Sequence, residues 1–354
     1  MPRFCQLADP DGYRAFDWDV MADPRDLPYW IGVFDSFPDN AERQLRAHNL
    51  TDDDFDARWT AFKSELLAGL DARRRDPRNF EPINTITLSH FRQGTLNRHG
   101  YPDPFVATKR HENKIAASLY PEHVRHIDAL PGADRWPALI RGILAGNLFD
   151  LGAPKTIEMY NNGEVDFHAF LTKLKPRPWL IDHADTFITR LTGGTPYRKA
   201  MIFVDNAGAD IVLGVIPFAR ELARNGTQVV LAANTGPALN DITIDELNPL
   251  LDELSTVDSA LKTLLVNRGI ETVGSGNGTP LIDLSQVTPE CNALADDCDL
   301  VVLEGMGRGI ESNWRQRFKC DSLRIALVKD ECVVRWLNGE LFDPIVRFER
   351  GVDA

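Results

Sequence analysis

A chain of 354 residues that is 43% hydrophobic can bury a large core, and its length suits two ordinary domains better than one. Lys and Arg number 39 against 52 Asp and Glu, so the net charge of −13 repels nucleic-acid phosphates and anionic membranes unless cations gather in one pocket. There is no apolar run of membrane-spanning length and no apolar leader, and the five cysteines lack C-x-x-C spacing, so a soluble cytoplasmic protein with reduced thiols is expected. In the first half, Thr51 and Asp54 have the residue types of a capping box, and Phe55, Trp59, Phe62, Leu66 and Leu70 recur along one helix face. A second helix is expected from about Trp136 to Gly152, which lets Asn147 and Asp150 share a face. The Pro-rich stretch Lys175–Trp179 disfavours helix and marks a boundary between a mainly helical domain (1–175) and a second domain (176–354).

Beyond that boundary, short apolar runs alternate with amphipathic stretches. Strands are expected at Ala200–Val204, Gln228–Ala233, Thr272–Val273, Leu281–Leu284, Leu300–Leu303 and Leu323–Val328. Helices are expected from Asp210, after the Thr243/Glu246 capping box, and after Thr288-Pro289. This alternation predicts a Rossmann-like three-layer α/β/α domain around a parallel sheet.

Such sheets bind ligands beyond the carboxyl ends of their strands, so the residues after each apolar run carry the functional question. Val204 is followed by Asp205-Asn206, Ala233 by Asn234, Val273 by Gly274-Ser275, Leu303 by Glu304-Gly305-Met306-Gly307-Arg308, and Val328 by Lys329. Carboxylates, amides and cations on one edge suit an anionic substrate held by a hard metal ion. Asp205, Asn206 and Asp241 form the oxygen-rich patch for that ion, with Asp205 either a ligand that orients the attacking water or a nucleophile that forms an aspartyl-phosphate. Asn234, Glu304, the Gly305–Arg308 turn and Lys329 are candidate phosphate or water contacts, with backbone N–H groups of Gly305 to Gly309 as an anion nest. Asn147 and Asp150 join them if the helical domain leans over the edge, whereas Asp210 reads as a helix cap. The glycine-rich turn Gly274–Gly278 reads as a turn near substrate at most. All eight histidines precede Ala200, so the alternating region holds neither a His-rich zinc site nor a Ser-His-Asp triad of its own. Dinucleotide and Walker A glycine patterns are absent after the first strand.

These strings resemble the damage-control phosphatase family, in particular the subfamily that in animals is fused to pantothenate kinase. The likeness is carried by Phe203–Asp210, Pro217–Leu222, Leu231–Asn234, Asn240–Thr243 and Glu304–Arg308. The first half adds Asp103–Phe105 with Lys109, Glu112 and Asn113, then Ala145–Asp150 and Pro176–Trp179. The resemblance implies a helical N-terminal domain on a Rossmann-like domain and a divalent cation, Mg²⁺, Mn²⁺, Co²⁺ or Ni²⁺, held at Asp205, Asn206 and Asp241. It implies hydrolysis of small phosphorylated metabolites, among them phosphopantetheine derivatives and sugar phosphates. Two other classes remain open at this point: a non-catalytic sensor of a phosphorylated metabolite, and an S-adenosylmethionine-dependent carboxyl methyltransferase. The second lacks a glycine-rich cofactor turn after its first strand.

Overall fold

The apolar stripe from Phe55 to Leu70 is buried along one helix, as its spacing requires. In the computed structural model, which describes residues 3–148, 167 and 171–352, that helix is α2 (Phe55–Arg75). It packs with α1 (Asp26–Ala47) and α3 (Thr85–Arg98) into a bundle. Asn84 caps α3 reciprocally with Thr87, at 3.0 Å each way. The expected Thr51/Asp54 box does not form. Asp54 precedes α2 with φ −96° and ψ 3°, a turn rather than the extended backbone that aims a capping oxygen at free N–H groups.

Two further helices, α4 (Val106–Ala129) and α5 (Gly132–Leu148), lie against a seven-stranded sheet. Its strands are β1 (Ile181–Asp182), β2 (Lys199–Phe203), β3 (Gln228–Ala233), β4 (Ile270–Gly274), β5 (Leu300–Glu304), β6 (Asp321–Leu327) and β7 (Pro344–Glu349). The order β1-β7-β6-β5-β2-β3-β4 is parallel except where β7 meets β6 antiparallel. The connecting helices are α6 (Ala184–Thr192), α7 (Ile216–Arg224), α8 (Ile244–Ser255), α9 (Ser259–Val266), α10 (Pro289–Ala295) and α11 (Glu331–Leu337). The Thr243/Glu246 box and the Thr288 cap both form, at 2.9 and 3.0 Å. Leu281, Ile282 and Leu284 are buried, but Leu281–Leu284 is not a strand. Its amides are met by side chains, Ile282 by Ser312 Oγ at 3.2 Å and Leu284 by the Tyr13 hydroxyl at 2.8 Å.

Strand residues alternate between two faces. Ala200 and Ile202 join α4, α5 and α7 in one core, while Met201 and Phe203 join Phe4, Leu7 and Cys291 in another. The first of these cores contains Ile115, Ile143 and Ala145 together with β2, β3, β5 and β6, so one hydrophobic interior runs across residue 175. The α1–α3 bundle packs on Met306, Ile310, Ala326 and Val328, which sets it over the ends of β5 and β6. No helix among the described residues is long and apolar enough to cross a membrane.

Two features set up the site. After β2 the chain moves outward through β3 and β4, then returns to β5 on the other side of β2, so β2 and β5 flank the switch point where doubly wound sheets bind ligands. A π-helical turn over Asp210–Val215 then runs into α7, and Pro217, which has no N–H to give to the α ladder, stands where it ends. At this turn α5 approaches backbone to backbone: a Cβ on Gly146 would lie 2.9 Å from the Ala209 carbonyl oxygen. That contact brings Asn147 against Asp210.

Candidate metal and phosphate site

Because β2 and β5 are register neighbours, Asp205 and Glu304 emerge side by side from the sheet. The Asp205 amide donates to Glu304 Oε2 at 2.7 Å. Asn206 Nδ2 donates to Asp205 Oδ2 at 2.8 Å and to Asp210 Oδ2 at 2.7 Å, and Asn147 Nδ2 reaches the same two oxygens at 3.3 and 2.7 Å. Asp205, Asp210 and Glu304 offer carboxylate oxygens all within 4.8 Å of one another. Asp210 is therefore not a helix cap but a buried member of this cluster, a consequence of the π turn that no residue pattern announces.

Arg308 joins the cluster to Asp241. Its guanidinium is buried and bonds Asp205 Oδ1 through Nη1 and Asp241 Oδ2 through Nη2, the latter at 2.7 Å. Asn234 Nδ2 donates to the same Asp241 oxygen at 3.0 Å, and Lys109, buried between Asp103 and Glu246 at 2.9 Å each, reaches the Asp241 carbonyl at 3.4 Å. Arg308 and Asn234 thus sit behind the site and hold Asp241 rather than facing the open space. Gly305 has φ +90°, and a Cβ there would fall 2.3 Å from Asp205 Oδ2, so only glycine lets this carboxylate lie against the chain. The Gly305 and Gly309 amides donate to the carbonyls of Ile325 and Gly305, both at 3.0 Å, so neither contributes to the expected anion nest.

A cavity of about 370 Å³ opens above this floor, within the range of small-molecule sites. Asp205, Asn206, Asp241, Met306, Gly307 and Lys329 line it from the strand ends, and Trp30, Phe34, Thr85, Ser89 and Arg92 from the helical bundle. Lys329 is exposed at its rim. Asn147, Asn234, Glu304, Gly305 and Arg308 lie behind its wall, and Gly274–Gly278 contributes nothing to it. Asp150 lies outside the described residues. Arg92 is a wall residue without a sequence signature, because a lone arginine between Phe91 and Gln93 carries no local pattern.

The donor set fits a hard cation. Asn147 Oδ1, Asp210 Oδ1 and Glu304 Oε1 are buried oxygens without a hydrogen-bond partner. Asn206 turns its amide nitrogen to carboxylates, which leaves its oxygen free, and both bonds to Asp241 go to Oδ2, which leaves Oδ1 free. Burial and the neighbouring Asp205 charge push Asp210 up to about 6, and burial pushes Asp241 up to about 7 despite Arg308. Glu304 is raised well above its ordinary value by burial and by Asp210 and Asp205. A cation placed among carboxylates crowded this closely would favour their charged forms.

Residues 35–344 match the family model described as the damage-control phosphatase ARMT1-like domain. The chain is 41% identical to the damage-control phosphatase At2g17340 of Arabidopsis thaliana over 90% of its own length and 87% of that protein's. It is 30% identical to the 4'-phosphopantetheine phosphatase of Mus musculus over 97% of its length but 48% of that protein's, and 35% identical to pantothenate kinase 2 of Oryza sativa subsp. japonica over 98% of its length but 41% of that protein's. A crystal structure of a DUF89 family protein from Pyrococcus horikoshii superposes with a TM-score of 0.68 at 14% identity, covering 93% of this chain and 98% of that one, which shows the α/β fold. This is a chain of the α/β class with an acidic strand-end site. It belongs to the ARMT1-like damage-control phosphatase family.

Proposed function

We propose that the protein is a divalent-metal-dependent phosphatase of small phosphorylated metabolites, with phosphopantetheine derivatives and sugar phosphates as the first classes of substrate. The observation that carries this reading is the crowding of Asp205, Asp210 and Glu304 beside the free oxygens of Asn206 and Asp241, at the floor of a cavity that also presents Arg92 and Lys329. The likeness to proteins named as phosphatases, one of them for 4'-phosphopantetheine, supports the reaction and the first substrate to try.

Asp205, Asn206 and Asp241 are the proposed metal ligands, since all three face the cavity. When bound, the cation offsets charge on the phosphoryl oxygens and makes a bound water more acidic. Asp210 and Glu304 lie beneath and orient the ligands, Asp210 through the Asn206 side chain and Glu304 through the Asp205 amide. Both Asp205 oxygens already accept hydrogen bonds, from Arg308 on one side and Asn206 and Asn147 on the other. These bonds fix the carboxylate in the floor of the site, which suits an oriented ligand, and attack by water is proposed over an aspartyl-phosphate. Lys329 contributes positive charge from the rim.

The test is phosphate release from an aryl phosphate, sugar phosphates and 4'-phosphopantetheine after chelation and after add-back of Mg²⁺, Mn²⁺, Co²⁺ or Ni²⁺. Release should return with at least one metal and fall by about 10³-fold or more in Asp205→Ala, with unchanged circular dichroism. A folded protein that binds a metal and phosphate yet releases none from any substrate would instead be a sensor.

A further inference from the structure

We propose that Arg92 grips the phosphoryl group of the substrate from the helical wall, opposite the strand-end acidic centre; this rests on the phosphatase reading above. Thr85, Ser89 and Arg92 follow one another at steps of four and three along α3 and all line the cavity. Arg92 is only 5% exposed. Its guanidinium carbon lies 4.9 Å from the Phe34 ring centre and 4.7 Å from that of Phe37. No carboxylate, carbonyl or hydroxyl among the described residues accepts a hydrogen bond from it, and its Nε is buried without a partner.

The other buried arginines show how unusual this is. Arg308 is paired with Asp205 and Asp241, Arg220 with Asp128 and Asp258, and Arg324 with Glu349 and the carbonyls of Asn313 and Gln316. The Nε of Arg92 is removed from water with no acceptor among the described residues, which is costly, and its terminal nitrogens face the cavity, so the acceptor is to be sought in what enters there.

The chemistry of that acceptor follows from the surroundings. Arg92 and Lys329 are the cations that line the cavity, since Arg308 lies behind the wall and is already neutralised. Arg92 and Asp241, a proposed metal ligand, line the same cavity, so an anion bound to Arg92 is within reach of the strand-end centre. A planar guanidinium matches two oxygens of a tetrahedral anion. Phe34 and Phe37 hold the fork in place before the ligand arrives, so little side-chain freedom is lost on binding. In a chain of net charge −13, a desolvated cation also offsets the repulsion a dianion meets on entry.

The test uses the metal-loaded full chain, inorganic phosphate as the binding probe and an aryl phosphate as substrate. In wild type, phosphate should raise the melting temperature and inhibit turnover competitively. Arg92→Met replaces an unpaired buried charge by an apolar chain, so the variant should melt at or above the wild-type temperature without phosphate. It should lose the gain that phosphate gives. Its phosphate Ki and aryl phosphate KM should rise together by about 10-fold or more, with a smaller change in kcat. Arg92→Lys keeps the charge and loses the fork, and its Ki should rise by about three-fold or more. An unchanged phosphate Ki in either variant overturns the proposal, as does a rise in KM that leaves Ki untouched, which would place Arg92 on the leaving group. If Arg92→Met does not fold, Arg92→Lys decides alone. A wild type that neither binds nor releases phosphate refutes the phosphatase reading and this inference with it. A wild type that does both while Arg92→Met binds phosphate equally refutes only the role of Arg92.

Discussion

The two walls of the cavity follow opposite electrostatic plans. On the strand side, charges hold one another: Asp205 and Asp241 share Arg308, and Asp210 receives both Asn206 and Asn147. On the helical side, Arg92 is held by aromatic faces and answered by no acceptor among the described residues. The difference teaches where two properties reside. Groups fixed by a mutual network keep the geometry needed at a reacting atom, whereas a cation fixed by apolar packing keeps its donors for a visitor.

This contrast predicts a split in kinetics. The largest effect belongs to the strand side: Asp210→Asn should lower kcat, or raise the metal concentration needed for half-activity, by about 10–100-fold with little change in KM. Activity within two-fold of wild type across a metal titration would return Asp210 to a capping role. On the helical side, Phe34→Leu should loosen the seat of Arg92 and raise the KM for an aryl phosphate by about three- to ten-fold, with kcat nearly constant. An equal fall in kcat would erase the distinction between the walls.

The smallest effect lies where the walls meet. Burial and the neighbouring Asp330 push Glu311 up to about 8. Between its ordinary value near 4.5 and about 8 the folded protein binds more protons than the unfolded chain. Stability from this group is full below the lower value and is lost as pH rises through the upper one. In chelator, wild type should therefore lose more melting temperature between pH 5 and pH 8.5 than Glu311→Gln, by roughly 2 °C. Parallel slopes for the two proteins would remove Glu311 from the account.

Much of the strand side was legible because it obeys local rules. Apolar runs ending in Asp205 and Glu304 fixed which edge carries the chemistry, and the Thr243/Glu246 box placed α8. What escaped depends on contacts distant in sequence. Two-residue β1 is too short to leave a pattern, and antiparallel β7 pairs from the far end of the chain. Leu281–Leu284 reads as a strand because it is apolar, yet Ser312 and Tyr13 take the place of neighbouring strands. Arg92 escaped because its meaning lies in an absent partner, which only the assembled walls reveal.

Each acidic strand end is followed by a π-helical turn, Asp210–Val215 after β2 and Gly307–Glu311 after β5. Such a turn closes i to i+5 and so accommodates one residue more than an α turn. Loss of a single residue from either would restore the α spacing and swing one flank of the helix by about 100° relative to the other. A chain with that deletion would keep every residue type of the candidate site and still turn Asp210 or Arg308 away from its partners. The geometry of this centre therefore depends on chain length as much as on residue identity, and a missing residue is the lesion that identity scores register least.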